Sequence, residues 1–284
     1  MSIEVNLKPV IPWIGGKRKL IKTILPLIPD YKGLYFEPFV GAGAIFLAYQ
    51  PKNAIISDIN PDIVNMWKQI KNKPTELIRS LTSHQTNKEY WDKCNKQFPK
   101  VRQGTIKRAS YFCYLIRFTF GNIYKLRIDG SFLNTFSETR KLKGKPFSQQ
   151  IENIKNISKY LNSNNIKIFN SDYVKVLTKC KKGDFVYLDP PYVSKAKTVK
   201  LMYGKDNFDH NILCKTYKML STKGVKCVLS NINSTIITKP LEKYNIKKIK
   251  FKNQWTRNGG KLKKDKNGKK YATRNEILVL NYDS

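Results

Sequence analysis

The chain has 284 residues, of which 54 are Lys or Arg and 20 are Asp or Glu, giving a formal charge of +34. Hydrophobic residues at 40% and aromatics at 12% suffice for a packed core, so a disordered basic tail is excluded, and the length admits one large domain or one domain carrying an insertion. A charge of this size exceeds what solubility needs and points to a polyanionic partner, with nucleic acid foremost.

In chain order, apolar runs bounded by turn residues predict buried strands at 34–37, 54–57, 166–169, 184–188, 225–230 and 277–280. Helix-like segments at 44–49, 62–70 and 208–220 follow strands closely enough to act as crossovers, which predicts an α/β fold with a mostly parallel sheet. The stretch from 73 to 165 breaks this rhythm. It is polar and rich in Lys and Asn, helical at 105–119, and then hairpin-like at 121–136. We therefore expect a catalytic domain made of residues 1–72 and 166–284, interrupted by an inserted, mainly helical domain at 73–165. A basic loop at 261–270 separates two late strands.

Cys94, Cys113, Cys180, Cys214 and Cys227 are odd in number and contain no C-x-x-C pair, so they support neither a disulfide framework nor a zinc knuckle and fit a reducing cytosol. His84 and His210 are the only histidines, and no metal site or Ser-His-Asp chemistry is expected. The N-terminus lacks a basic segment followed by an apolar stretch, and no run approaches the ~20 apolar residues of a membrane span. A soluble, cytoplasmic protein without a membrane partner is the expectation.

After the first strand comes Phe39-Val40-Gly41-Ala42-Gly43-Ala44-Ile45-Phe46, a turn whose glycines let the backbone approach a ligand before a helix begins. The third glycine of a dinucleotide fingerprint would fall where Phe46 stands, which argues against NAD or FAD. Asp58, at the end of the second strand, lies near the roughly 20-residue offset at which a carboxylate reaches ribose hydroxyls, so a nucleoside ligand is implied. Its other reading is a helix cap.

The sharpest signal is Asp189-Pro190-Pro191-Tyr192, directly after the apolar run Phe185-Val186-Tyr187-Leu188. Two prolines stop the strand and stiffen the path, holding the Asp189 carboxylate, the Pro190 carbonyl and the Tyr192 ring at the carboxyl edge of the sheet. The exocyclic amine of a nucleobase is a poor nucleophile because its lone pair is delocalised into the ring. Two acceptors drawing on its protons redirect that lone pair outward, and Tyr192 can stack on the base face.

With these residues the chain resembles the Dam-type adenine-N6 DNA methyltransferases, the alpha group of amino-methyltransferases. Three blocks carry the resemblance: Pro12-Trp13-Ile14-Gly15-Gly16-Lys17, Phe36-Glu37-Pro38-Phe39-Val40-Gly41-Ala42-Gly43, and Asp189-Pro190-Pro191-Tyr192. Ser230-Asn231 and the closing Glu276-Ile277-Leu278-Val279-Leu280-Asn281-Tyr282 extend it over nearly the whole chain. The resemblance implies a Rossmann-like methyltransferase sheet and S-adenosyl-L-methionine as cofactor. It places Trp13, Lys17, Phe39, Gly41, Gly43, Asp58, Asp172 and Asp189 at that cofactor, Asp172 near its adenine; a helix cap is the other reading of Asp172. Asp189, Pro190 and Tyr192 are the catalytic set, acting on an adenine extruded from double-stranded DNA. A cytosine-N4 or RNA amino-methyltransferase, and a non-catalytic nucleic-acid-binding protein on this fold, are the alternatives.

The resemblance also makes 73–165 a target-recognition domain, in which Arg117, Asn122, Tyr124, Lys125 and Arg127 flank the hairpin, suited to phosphate and base-edge contacts. Relatives that recognise GATC carry Asn-Gly-Leu and Gly-Arg-Tyr-Lys elements around this hairpin. This chain reads Asn122-Ile123-Tyr124 and Ser137-Glu138-Thr139-Arg140-Lys141, a departure that argues against assuming GATC. A cognate restriction endonuclease is a possible partner, and the cytoplasm of a bacterium, or of the host of a phage or virus, is the implied location.

Overall fold

Continuous apolar runs, buried on both faces, build the central sheet of the computed structural model, which describes residues 6–138, 146–193, 208–253, 263–264 and 270–283. Strands β1 (Tyr35–Glu37), β2 (Asn53–Asp58), β3 (Asn165–Asn170), β4 (Phe185–Leu188) and β5 (Lys226–Ile232) are followed by β6 (Asn245–Asn253), β7 (Lys263–Lys264) and β8 (Lys270–Leu280). The spatial order is β3-β2-β1-β4-β5-β8-β6, with β7 paired to β8. The first five strands pair in parallel, while β8 runs antiparallel to both β5 and β6. This is the mostly parallel α/β architecture expected from the alternation of strands and helices, in the Rossmann-like form that the resemblance implies.

The helices are α1 (Ile21–Ile24), α2 (Ala44–Tyr49), α3 (Pro61–Asn72), α4 (Pro74–Thr82), α5 (Lys88–Gln97), α6 (Ile106–Phe118), α7 (Ile151–Ser163), α8 (Tyr173–Leu177), α9 (His210–Thr222) and α10 (Thr235–Thr238). Successive strand residues point to opposite faces and so feed two separate cores. Tyr35, Ile56, Tyr187 and Val228 pack with α2, α3 and helices α4 to α7. Phe36, Ile55, Val186 and Leu229 pack with α8 and α9. Side-chain caps start the crossover helices: Asn60 accepts from Asp62 N at α3, Asp172 from Val174 N at α8, and Asp209 from Asn211 N and Ile212 N at α9. Pro61 adds a fixed φ in the first turn of α3.

Between α3 and β3, helices α4 to α7 and the 119–136 hairpin are joined to the sheet by one continuous apolar cluster, which includes Ile63, Trp67, Leu77, Phe112, Phe132 and Ile157. The hairpin is held by bridges Thr119–Phe136 and Leu126–Phe132 and by Leu133 N donating to Lys125 O at 2.7 Å.

Two features differ from the expected elements. The last strand extends back to Lys270, well before the expected 277, and it is flanked by β6, for which no apolar run was evident. The reason is physical: β6 is a sheet edge, and its Lys247, Lys248 and Lys250 give it the charged character that edge strands use against intermolecular pairing. Thr139, Arg140 and Lys141 lie outside the described residues, as does most of the basic loop at 261–270. Among the described residues no helix is long and apolar enough to cross a membrane.

Candidate active site

In the sheet, β1 leads outward through β2 to β3, while β4 lies on its other side, so the order reverses between β1 and β4. Such a switch point leaves a crevice at the carboxyl ends of the strands. A cavity of about 980 Å³ opens there, and it is lined by both the 39–43 turn and the 189–192 corner. Its size suits a cofactor-scale ligand.

The turn is locked on all sides. Gly43 N donates to Val40 O at 2.7 Å, and Trp67 Nε1 donates to Gly41 O at 2.9 Å. Gly41 and Gly43 have φ of +47° and +71°, and a Cβ at Gly43 would stand 2.5 Å from the Trp67 ring, so both conformation and space demand glycine. Asp58 joins the turn to the end of β2: its carboxylate accepts from Gly41 N at 3.0 Å and from Asn60 N at 2.9 Å. Burial, partly offset by these bonds, pushes its pKa up to about 6. Trp13 covers Gly41, where an added Cβ would stand 2.9 Å from the indole.

At the corner, the buried Lys17 reaches Asp189. Its Nζ donates to the two carboxylate oxygens at 2.6 and 2.7 Å and to Gly15 O at 2.8 Å, and it lies 4.7 Å from the centroid of the Tyr192 ring. Burial pushes Asp189 up to about 6, with Lys17 pulling the other way. From behind, His210 Nε2 lies 3.1 Å from Pro191 O, and because a carbonyl only accepts, this bond requires the proton on Nε2. Glu37, deeper in the same cavity, accepts from Tyr35 OH at 2.5 Å, and burial raises it to about 8.

Of the residues expected at a cofactor, Trp13, Lys17, Phe39, Gly41, Gly43, Asp58, Asp172 and Asp189 all line this one cavity. Lys17, however, spends its charge on Asp189, and one oxygen of Asp172 caps α8 by accepting from Val174 N at 2.8 Å. The residues expected at DNA are dispersed. Arg117 lines the cavity and stands 4.9 Å over Phe147; Asn122 donates to Ile116 O and Arg117 O. Tyr124 turns inward and donates to Asp62. Arg127 is exposed but braces its own hairpin through Phe132 O, Ser131 Oγ and Leu133 O, whereas Lys125 is exposed on the same strand of the hairpin. Sequence reasoning overlooked Glu37 as a cavity residue, although it stands directly before the glycine turn. It also overlooked His210, whose spacing from the corner offers no signal.

The profile of the D12 class N6 adenine-specific DNA methyltransferases matches residues 13–254. The chain belongs to this family. It is 34% identical to the Type II methyltransferase M1.LlaDCHI of Lactococcus lactis, over 98% of this chain and 97% of that protein. It is 32% identical to the Type II methyltransferase M.MjaIII of Methanocaldococcus jannaschii, over 98% and 100% respectively. The DNA adenine methylase of Vibrio cholerae is 25% identical over 88% of this chain and 90% of its own length. As a D12 class enzyme the chain is an adenine-specific DNA methyltransferase, which sets aside the cytosine-N4, RNA and non-catalytic readings.

Proposed function

We propose that this methyltransferase takes its methyl group from S-adenosylmethionine and delivers it to the N6 amine of an adenine extruded from duplex DNA, with Asp189, Pro190 and Tyr192 as the catalytic residues. One observation carries the reading: the glycine turn with Asp58 and the diproline corner face the same cavity. The lining fits that donor. Asp58, Asp172 and Asp189 are carboxyl groups around a space whose ligand is cationic at its sulfonium and its ammonium, and Asp58 and Asp172 stand at the two strand ends from which ribose and adenine are reached. Trp13, Lys17, Phe39, Gly41 and Gly43 complete the holding set. When bound, S-adenosylmethionine supplies a methyl already activated for displacement, so the protein has chiefly to align the acceptor nitrogen.

The residues of the corner perform that alignment. An ionised carboxylate has about four acceptor positions, of which Lys17 occupies two, so Asp189 retains capacity for an N6 proton. The carbonyl of Pro190 accepts a hydrogen bond from the other N6 hydrogen, and the lone pair is turned out of the ring. Tyr192 stacks on the base, worth roughly 1–3 kcal/mol by analogy with single-strand binders. Together with phosphate contacts this offsets the few kcal/mol of unstacking. The exposed Lys125 and Arg127 of the hairpin, with Arg117 and Asn122 at its base, are the proposed DNA contacts; Tyr124 is not, because its hydroxyl is committed to Asp62. Two of the relatives are named Type II methyltransferases, and a cognate restriction endonuclease is the partner we expect on that ground.

Incubation with methyl-labelled S-adenosylmethionine and unmethylated duplex DNA, followed by digestion to nucleosides, should put the label in N6-methyladenine. Label in another nucleoside, or no transfer at all, would overturn the reading.

A further inference from the structure

Tyr124 comes from the hairpin that exposes Lys125, yet it is planted against the wall of the cavity. Its ring meets the Trp13 indole at a centroid separation of 5.9 Å, and it packs on Phe112 at 5.6 Å and, edge-on, on Phe132 at 5.5 Å. Trp13 in turn lines the cavity and sits against Gly41. The Tyr124 hydroxyl donates to Asp62 Oδ2 at 3.0 Å. That carboxylate is fixed by Arg108 through bonds of 2.7 and 3.0 Å and by Gln103 at 2.9 Å. Asp62 belongs to the first turn of α3, which starts just beyond Asp58. One side chain of the hairpin thus touches both the Trp13 wall and the helix that leaves the acidic end of β2.

Close-packed rings do not deform continuously, so a hairpin moved by a ligand takes Tyr124, and with it Trp13, to a new position. We propose that Tyr124 is a positioning residue that makes DNA binding and cofactor binding cooperative. The proposal rests on the hairpin facing DNA, as argued above. The effect is reciprocal: whatever factor DNA adds to cofactor affinity, the cofactor adds to DNA affinity.

The test is calorimetric titration of sinefungin, a non-reactive analogue of the methyl donor, into the enzyme alone and into the enzyme saturated with long unmethylated duplex DNA. In the wild type, DNA should tighten sinefungin by at least about 5-fold, the lower end of ordinary coupling. Tyr124→Leu should bring that ratio close to one. Tyr124→Phe, the milder change, keeps the ring and loses the bond to Asp62. It should fold and show a reduced ratio, so the test stands even where the Leu variant does not fold. A purely structural Tyr124 would lower the melting temperature and leave the ratio at its wild-type value, which overturns the proposal. A wild type showing no tightening overturns it as well. Failure of the wild type to bind sinefungin at all would first strike the cofactor assignment, and the link would fall with it.

Discussion

Two ion pairs with little exposure to solvent differ in build, and they serve opposite ends. Arg108 and Asp62 are 8% and 1% exposed, joined at two points, with Gln103 and Tyr124 on the remaining lone pairs and the guanidinium packed on the Phe98 ring at 3.5 Å. Lys17 and Asp189 are 4% and 19% exposed, and a single ammonium bridges a carboxylate that also faces the cavity. A planar fork locked by further donors fixes a junction, whereas a point charge on a flexible stem can share its partner with a ligand. The first pair fastens α6 to α3; the second sets an ammonium and a carboxylate at the cavity.

The largest effect is expected where the closed pair is broken on one side. Asp62→Ala strands the Arg108 guanidinium in the core and should cost about 3–5 kcal/mol of stability, read from denaturant unfolding. The double change Asp62→Leu with Arg108→Met should recover much of this loss, because no uncompensated charge remains. A single variant as stable as the wild type would show that the pair is not the fastening described.

At the open pair the loss should appear in catalysis as well as in stability, because the Lys17 ammonium, 4% exposed, is stranded in its turn. Asp189→Ala removes the acceptor we propose for the amine and should lower kcat by about 10²–10³-fold, the scale seen for one preorganised hydrogen-bonding group, with DNA retention on gels largely preserved. Comparable turnover in this variant would end the acceptor role. A smaller effect is expected from Lys17→Gln. Asp189 sits at about 6 because burial raises it and Lys17 holds it down, so transfer should fall off below about pH 6 in the wild type. Asp58 titrates in the same range. Removing the ammonium should move that acid limb to higher pH, and an unmoved limb would break the contrast between the pairs.

The contrast also explains what could be read from the chain alone. The glycine turn and the Asp189–Tyr192 corner were legible because each is a contiguous motif at a strand end, and strand ends are where such sheets place ligands. Helix α2 falls on the expected 44–49 for the same local reason. Lys17 and Asp189 stand 172 residues apart, and Asp62 and Arg108 stand 46 apart, so neither partnership has a local signature. Tyr124, beside Lys125 in a basic, hairpin-like run, read as a DNA contact. Its inward orientation follows from Trp13, Phe112 and Asp62, which only the tertiary fold brings near it.

The smallest predicted effect concerns Glu37, a carboxyl in the same cavity with no cation bonded to it. Burial raises it to about 8 from an ordinary value of 4.5, and its closest bond is the Tyr35 hydroxyl. The folded state therefore binds this proton more tightly than the unfolded chain does. Its contribution to stability is fully present below about pH 4.5 and is lost as pH rises through 8. Asp58 and Asp189 are shifted in the same direction, but their midpoints lie near 6. His84, buried and lowered to about 4 from 6.5, acts in the opposite sense: stability is lost as pH falls from 6.5 towards 4. Between pH 7 and 8 Glu37 is thus the one of these four whose folded form changes charge most. The melting temperature of the wild type should decline across that interval, and Glu37→Gln, which keeps the shape and cannot ionise, should flatten the decline. An equal slope in the variant would mean that Glu37 is already ionised at neutral pH, with Lys17 then shared between two carboxylates and not reserved for Asp189.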